Sequence, residues 1–163
     1  MGRKGQFFSI DVFVAIAIIG IGLFVLYSTK TVQPSDSQTI SLSSDLMKNF
    51  NSHKVKDIDN AFIITLIQNG TIQNSDNTLL QQISEFYVYG QNDTASNLTQ
   101  SVTEGILPFQ YAFALYVNGS LVYQSRAQDP QTPNLIVTKR IVYGVKNSTA
   151  FWGPFLAEVR VWR

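Results

Sequence analysis

The stretch FFSIDVFVAIAIIGIGLFVLY, residues 7–27, carries one charged side chain, that of Asp11, among its 21 residues. As an α-helix it would extend about 31 Å, which matches the hydrocarbon thickness of a bilayer. Lipid offers the backbone no hydrogen-bond partners, and a helix satisfies its own. The sequence therefore predicts a membrane-spanning helix, followed by a chain that is exported or tethered at a membrane.

The flanks of this stretch predict its orientation and its fate. Arg3 and Lys4 precede it and only Lys30 follows closely, so the positive-inside bias places the N-terminus in the cytoplasm and the C-terminal domain outside. A cleaved secretory signal has a shorter apolar core and an Ala-x-Ala pattern after it, and no such pattern follows here. We therefore expect the apolar helix to remain on the mature protein.

The residues ahead of the apolar run resemble a known processing signal. Residues 3–11, RKGQFFSID, are similar to the class III signal peptide of archaeal type IV pilin-like proteins. In that family a prepilin peptidase cuts after the glycine of a basic-Gly motif, and the apolar helix then packs in a filament core. The resemblance implies a cut between Gly5 and Gln6, with Lys4 in the recognised motif and residues 1–5 as the leader.

One departure from the family pattern leaves a second cut open. The family's acidic residue usually stands at the fifth mature position, whereas Asp11 would be sixth after a cut at Gly5. A cut between Gln6 and Phe7 would make Asp11 fifth behind an aromatic first residue, as in bacterial type IV pilins. We favour Gly5/Gln6 because the peptidase site is built around the glycine. The resemblance covers about the first 27 residues, and the C-terminal GPFLAEVRVWR shows a weaker likeness to archaeal pilin-like proteins.

Asp11 has two interpretations. A carboxylate in a spanning segment costs a few kcal/mol at the bilayer centre and less near an interface. The resemblance implies that Phe7 and Asp11 act in assembly, with Asp11 neutralising the freed N-terminal amine of a neighbouring subunit. Alternatively, Asp11 lies at the membrane surface, where it and Ser9 satisfy open amides at the helix start.

Composition bounds the remainder of the chain. Residues 28–163 contain ten basic and ten acidic side chains and no cysteine. These counts predict no basic face for nucleic acid, no disulfide and no thiolate metal site. We divide the chain into a leader 1–5, an apolar helix 6–29, a polar spacer 30–44 and one exported domain 45–163. The second half of the spacer also fits the start of a helix or a strand.

Three segments of this domain show helical periodicity. Residues 52–70 place apolar side chains at steps of three and four, with Ser52 as a cap and Gly70 as an end, although FIITLI within them also fits a strand. Residues 78–90 and 93–108 carry two further apolar stripes. We expect short amphipathic helices there.

From Phe109 the apolar period changes to two, which favours strands. Residues 109–117 and 120–126 flank Asn118-Gly119, the strongest two-residue hairpin signal. The later stretches LIVTKRIVYGV and GPFLAEVRVWR are rich in β-branched and aromatic residues. The predicted fold class is α+β: an N-terminal transmembrane or assembly helix, short helices, then a C-terminal antiparallel sheet of about four strands.

No pattern in the sequence indicates catalysis. His53 is the only histidine, and no phosphate loop, metal-ligand pair or nucleophile elbow is present. Asp57 and Asp59 are two residues apart and would diverge on a helix. Lys139-Arg140 within a strand is more typical of a solvated edge or a turn than of an anion site. We therefore predict no enzyme activity, no metal and no cofactor.

Asn-x-Ser/Thr sequons are over-represented in the exported part. Five occur, none with Pro in the middle, where chance placement would give about two. Asn-Gly and Asn-Ser pairs also belong to turns, which would explain two of the sites without sugar. We predict N-glycosylation of at least two of the five asparagines, which are Asn69, Asn92, Asn97, Asn118 and Asn147.

The expected function is a structural subunit of an archaeal type IV pilus-like surface filament, processed by prepilin peptidase, assembled with copies of itself from the membrane, and used in adhesion or surface attachment. The alternative is a membrane-anchored surface protein, minor pilin or pseudopilin outside the main filament. A third class is a tethered module that binds sugar or peptide through the aromatic residues of the sheet, Tyr111, Tyr116, Tyr123, Trp152 and Trp162.

Overall fold

The computed structural model describes residues 12, 15–21, 23, 36–127, 135–147 and 150–163. The chain separates into two compact units, Met1–Ser35 and Asp36–Arg163. In the first unit, residues 12, 15–21 and 23 are helical. Across the described ranges, no helix combines the length and apolar character needed to span a bilayer. The predicted leader and most of the predicted helix 6–29 lie outside the described residues.

The second unit is an α+β domain. Its described elements, in chain order, are α1 (Asp36–Ser52), a 3₁₀ turn (Val55–Asp57), α2 (Ala61–Gln68), α3 (Leu79–Val88), α4 (Asn92–Thr103), β1 (Ala112–Val117), β2 (Ser120–Gln124), β3 (Ile136–Asn147) and β4 (Ala150–Trp162). The strands form one antiparallel sheet in the order β2-β1-β4-β3. The predicted sequence of short helices followed by an antiparallel sheet of about four strands is confirmed.

The core lies between the helices and one face of this sheet. Phe113 and Leu115 of β1 and Val159 of β4 are at most 1% exposed, because alternate residues of a strand point to the same face. Helix α1 contacts β3 and β4, α3 contacts β3, and α4 contacts β2. The apolar stripes of the helices, including Phe50 and Leu80, join the same cluster. Burial of this apolar surface, at about 25 cal/mol per Å², is the main stabilising term.

Helix α1 begins inside the segment predicted as a polar spacer. Its small polar side chains are compatible with packing because the sheet supplies hydrogen-bond partners. Ser43 is fully buried, and its Oγ lies 2.7 Å from Thr138 Oγ1 and 3.5 Å from the Val159 carbonyl oxygen. The second half of the segment 30–44, which the sequence left open, is therefore helical and part of the domain.

The helix predicted over residues 52–70 is shorter than expected. Ser52 ends α1, where its Oγ donates to the Lys48 carbonyl at 2.6 Å, so the prediction that it starts a helix was wrong. Helix α2 starts after Asn60, whose Oδ1 accepts from the amides of Phe62 at 2.9 Å and Ile63 at 3.2 Å. FIITLI is helical, and the helix ends just before Gly70, at φ +76°.

The other local predictions agree more closely with the structure. Helix α3 lies within the predicted segment 78–90, and its start is capped by a reciprocal capping box of Thr78 and Gln81. Helix α4 ends at Thr103, so Ile106 lies beyond it and is 59% exposed rather than part of its apolar stripe. The hairpin turn is confirmed: Asn118 and Gly119 have φ of +51° and +79°, the sign that a type I′ turn requires at both positions.

Candidate assembly and glycosylation sites

The side chains predicted to act in processing and assembly lie outside the described residues: Lys4, Gly5, Gln6, Phe7 and Asp11. The helical residues that follow them are described in part. Their apolar side chains are exposed, from 47% at Val12 to 65% at Ile21. A helix that presents such side chains is suited to lipid or to packing against other helices.

Four of the five sequon asparagines are exposed in the described domain: Asn69, Asn92, Asn97 and Asn118. Asn147 ends β3, where its backbone pairs with Ala150, and its side chain lies outside what the structure describes. Exposure of the carboxamide is a requirement for attachment of a glycan to the folded chain. The described asparagines meet it.

The hydroxyl residues of the sequons differ in accessibility. Thr99 is fully buried and its Oγ1 donates to the Ala95 carbonyl at 2.8 Å inside α4. Ser120 is exposed, next to the β1–β2 turn. An enzyme that reads both the asparagine and the hydroxyl would find the Asn118 sequon open on the folded domain and the Asn97 sequon closed. The sequence alone gives no sign of this difference.

Three sequons gather at one end of the domain. Tyr87 Oη donates to Ser120 Oγ at 3.0 Å, which joins the end of α3 to the Asn118 turn. Thr71 and Gln91, neighbours of two further sequon asparagines, line one surface cleft of about 400 Å³. The start of α1 lies at the opposite end of β1, where Tyr111 Oη donates to Gln38 Oε1 at 3.3 Å. These three sequons therefore lie at the end of the domain away from the start of α1.

The aromatic residues suggested for a binding module are packed. Tyr111, Trp152 and Trp162 are 7%, 6% and 4% exposed. Tyr123 is half-buried against Phe113, with ring centroids 5.4 Å apart. Tyr116 is also half-buried, under the guanidinium of Arg160. These five residues stabilise the two faces of the sheet and present no exposed aromatic cluster.

The carboxylate of Glu158 on the outer face of the sheet forms ion pairs with two basic side chains. Glu158 of β4 accepts from Lys139 Nζ and from Arg160 Nη2, each at 2.9 Å. The hydrogen bond from Lys139, and then that from Arg160, holds the pKa of the Glu158 carboxyl below its usual value. Lys139 lies on the edge strand β3, as predicted for a solvated edge, and is already paired.

His53, Asp57 and Asp59 form no metal site. Within the described ranges, no group of three His, Cys, Asp or Glu side chains is placed to hold a metal ion. The three residues instead line one groove together with Glu104, which comes from the far end of α4. Sequence reasoning missed this groove because residues near position 57 and position 104 meet only through the tertiary fold.

Comparison of the chain with protein-family models, with curated proteins and with solved structures finds no match.

Proposed function

We propose that this chain is the structural subunit of an archaeal type IV pilus-like surface filament. The observation that carries the proposal is the order of features in residues 3–27: a basic-Gly motif, an acidic residue and an apolar run long enough for a spanning helix. Each feature alone is common. Their order is typical of a chain that is first anchored in a membrane and then processed at its N-terminus.

Two structural features support this proposal. The described part of the apolar segment is helical, with exposed side chains such as Ile18 at 64%. The segment belongs to a compact unit separate from the α+β domain. An assembly helix needs an exposed apolar surface.

The proposed mechanism has three steps. Prepilin peptidase removes residues 1–5 on the cytoplasmic side, leaving Gln6 with a free amine. The apolar helix leaves the lipid and packs against the helices of other copies, where apolar contacts replace contacts with lipid. Asp11 pairs with the amine of a neighbour, which removes the cost of an unpaired carboxylate in an apolar environment. The domain 36–163 then forms the outer layer and serves in adhesion.

Glycosylation completes the proposal. The described sequons expose Asn69, Asn92 and Asn118 at the end of the domain remote from the start of α1. Glycans there hydrate the outward surface of a cysteine-free domain and leave the other end of the domain clear of sugar.

The experiment compares Asp11→Ala with Asp45→Ala in the native host. Asp45 is an exposed carboxylate on α1 and serves as the matched control. We expect Asp11→Ala to lower the protein in the sheared surface fraction by about tenfold, the equivalent of ~1.4 kcal/mol, while Asp45→Ala and Asp11→Glu stay near wild type. Equal amounts of Asp11→Ala and wild type in sheared filaments would refute the assembly role. Protein found only as a detergent-extracted monomer would make the chain a membrane-anchored surface protein.

A further inference from the structure

A groove of about 430 Å³ opens on the helical side of the domain. Its walls are the last turns of α1, the connection 57–60 that leads into α2, and the last turn of α4 with Ile106. A groove of this volume is within the range of sites that accept side chains or small ligands. Asn60 holds two walls together, because its Nδ2 donates to the Ser101 carbonyl at 3.1 Å.

The floor of the groove is apolar. Leu46, Phe50 and Leu79 are at most 4% exposed and close its base. Ile58 and Val102 are half-buried along it. Ile106 at the rim is 59% exposed. An occupant with an aliphatic portion would therefore remove apolar surface from water.

The rim of the groove is acidic. Asp57, Asp59 and Glu104 are all exposed there. The ion pairs of the described residues join cations to Asp76 and Glu158, and none of them includes these three carboxylates, although Asp57 interacts with Lys56 at longer range. The nearby lysines are engaged elsewhere: Lys54 and Lys56 lie 3.1 Å and 2.8 Å from Asp76 Oδ1.

Two helix ends add to this negative potential. Helices α1 and α4 both terminate at the groove, at Ser52 and Thr103, and neither has a basic residue in its last turn. The carbonyl groups at a helix C-terminus are equivalent to about half a negative charge and favour a cation nearby. The groove thus combines an apolar floor with negative charge from side chains and from backbone.

We propose that this groove binds a peptide segment of another protein chain in which a Lys or Arg is flanked by aliphatic residues. The methylene stem of such a side chain lies on the apolar floor while its charged head reaches the rim carboxylates. An acidic or neutral segment would leave the rim charges unpaired and would bind less well. The proposal is independent of filament assembly, because it uses only residues of the domain 36–163.

The test is a methyl NMR titration of the full chain in detergent micelles, with labelled Ile, Leu and Val. The probe is acetyl-Leu-Lys-Leu amide, with acetyl-Leu-Glu-Leu amide as the charge-reversed control. We expect saturable shifts of the Ile58, Val102 and Ile106 methyls with the lysine peptide only. Ile64, which is 41% exposed on α2 and does not line the groove, should not shift.

Variants separate the charge from the apolar floor. The triple variant Asp57→Asn/Asp59→Asn/Glu104→Gln should weaken binding about fivefold or more, because three exposed ionic contacts are lost. The control Asp93→Asn, an exposed carboxylate at the start of α4, should leave it unchanged. Ile106→Ser should weaken binding without a change in charge.

Any of three results would overturn the proposal. These are no saturable shift, equal shifts with the glutamate peptide, or an affinity that the triple variant does not alter. An equal or tighter response to n-octylamine would assign the groove to amphiphilic amines and would likewise overturn its assignment to a peptide.

Discussion

Asn60 should be the most informative single position for the stability of the helical layer. Its Oδ1 caps α2 through two amides, a role worth about 1 kcal/mol, and its Nδ2 joins α2 to α4 through the Ser101 carbonyl, worth about 1 kcal/mol more. Asn60→Ala removes both. We expect the free energy of unfolding of the domain to fall by about 2 kcal/mol, or roughly 8 °C in Tm.

Urea unfolding followed by tryptophan fluorescence measures this change directly. The only two tryptophans, Trp152 and Trp162, both belong to the α+β domain, so the signal is blind to the N-terminal helix. Asn60→Asp retains the capping oxygen and gains from its charge at the helix N-terminus, but it sets an oxygen in place of the amide that donates to the Ser101 carbonyl, so it should cost less than Asn60→Ala but more than the control. Asn51→Ala, on the exposed side of α1, is the control and should lie within about 0.5 kcal/mol of wild type. Equal losses for Asn60→Asp and Asn60→Ala, or no loss for Asn60→Ala, would refute the assignment of both contacts.

Three further substitutions have defined outcomes in the same unfolding assay. The folded-state pKa of Glu158 lies below its ordinary value of 4.5, so the ionised carboxylate stabilises the domain above that pH, and this contribution is lost as the pH falls through the folded-state pKa. The variant Glu158→Gln should therefore show a smaller loss of unfolding free energy on acidification than the wild type. A Cβ on Gly144 would overlap the indole of Trp152, so Gly144→Ala should destabilise the domain by about 1–3 kcal/mol and shift the fluorescence maximum, whereas an unchanged spectrum would contradict that packing. Leu98→Ala at a fully buried position should cost about 2–5 kcal/mol, against less than about 1 kcal/mol for Leu121→Ala at a half-exposed one.

The sequence predicted the elements whose signals are local. Asn118-Gly119 specified the hairpin because few other dipeptides adopt positive φ at two successive positions. The stripe of α3 and its end before Gly90 were also readable, since the apolar residues and the C-terminal glycine lie within the predicted segment 78–90, whereas the cap is Thr78 and not one of the turn residues 74–77.

Other features required the tertiary structure. The apolar period from Val55 to Leu66 fits one helix. Residues 55–57 form a 3₁₀ turn instead, because the backbone amides of Val55 and Lys56 donate to the carbonyl oxygens of Asn77 and Ser75. Helix α1 has few apolar residues in its first turns, so the local pattern does not predict a helix there. Contacts with the sheet, such as that between Ser43 and Thr138, stabilise the helix instead.

The features of the candidate sites also differ in whether the sequence alone predicts them. Sequons are visible in the sequence, but the burial of Thr99 is visible only in the fold. The groove proposed to bind a peptide forms where residues 46–60 meet residues 101–106, so no single stretch of sequence contains all the residues that line it.

The central claim is tested most directly by the N-terminal sequence and intact mass of the protein sheared from the surface of its native host. The account predicts a mature start at Gln6, or at Phe7 if the alternative cut is used, and a mass above that of the polypeptide because of glycans. A protein that begins at Met1 and is confined to the membrane fraction, in cells with a working prepilin peptidase, would contradict it.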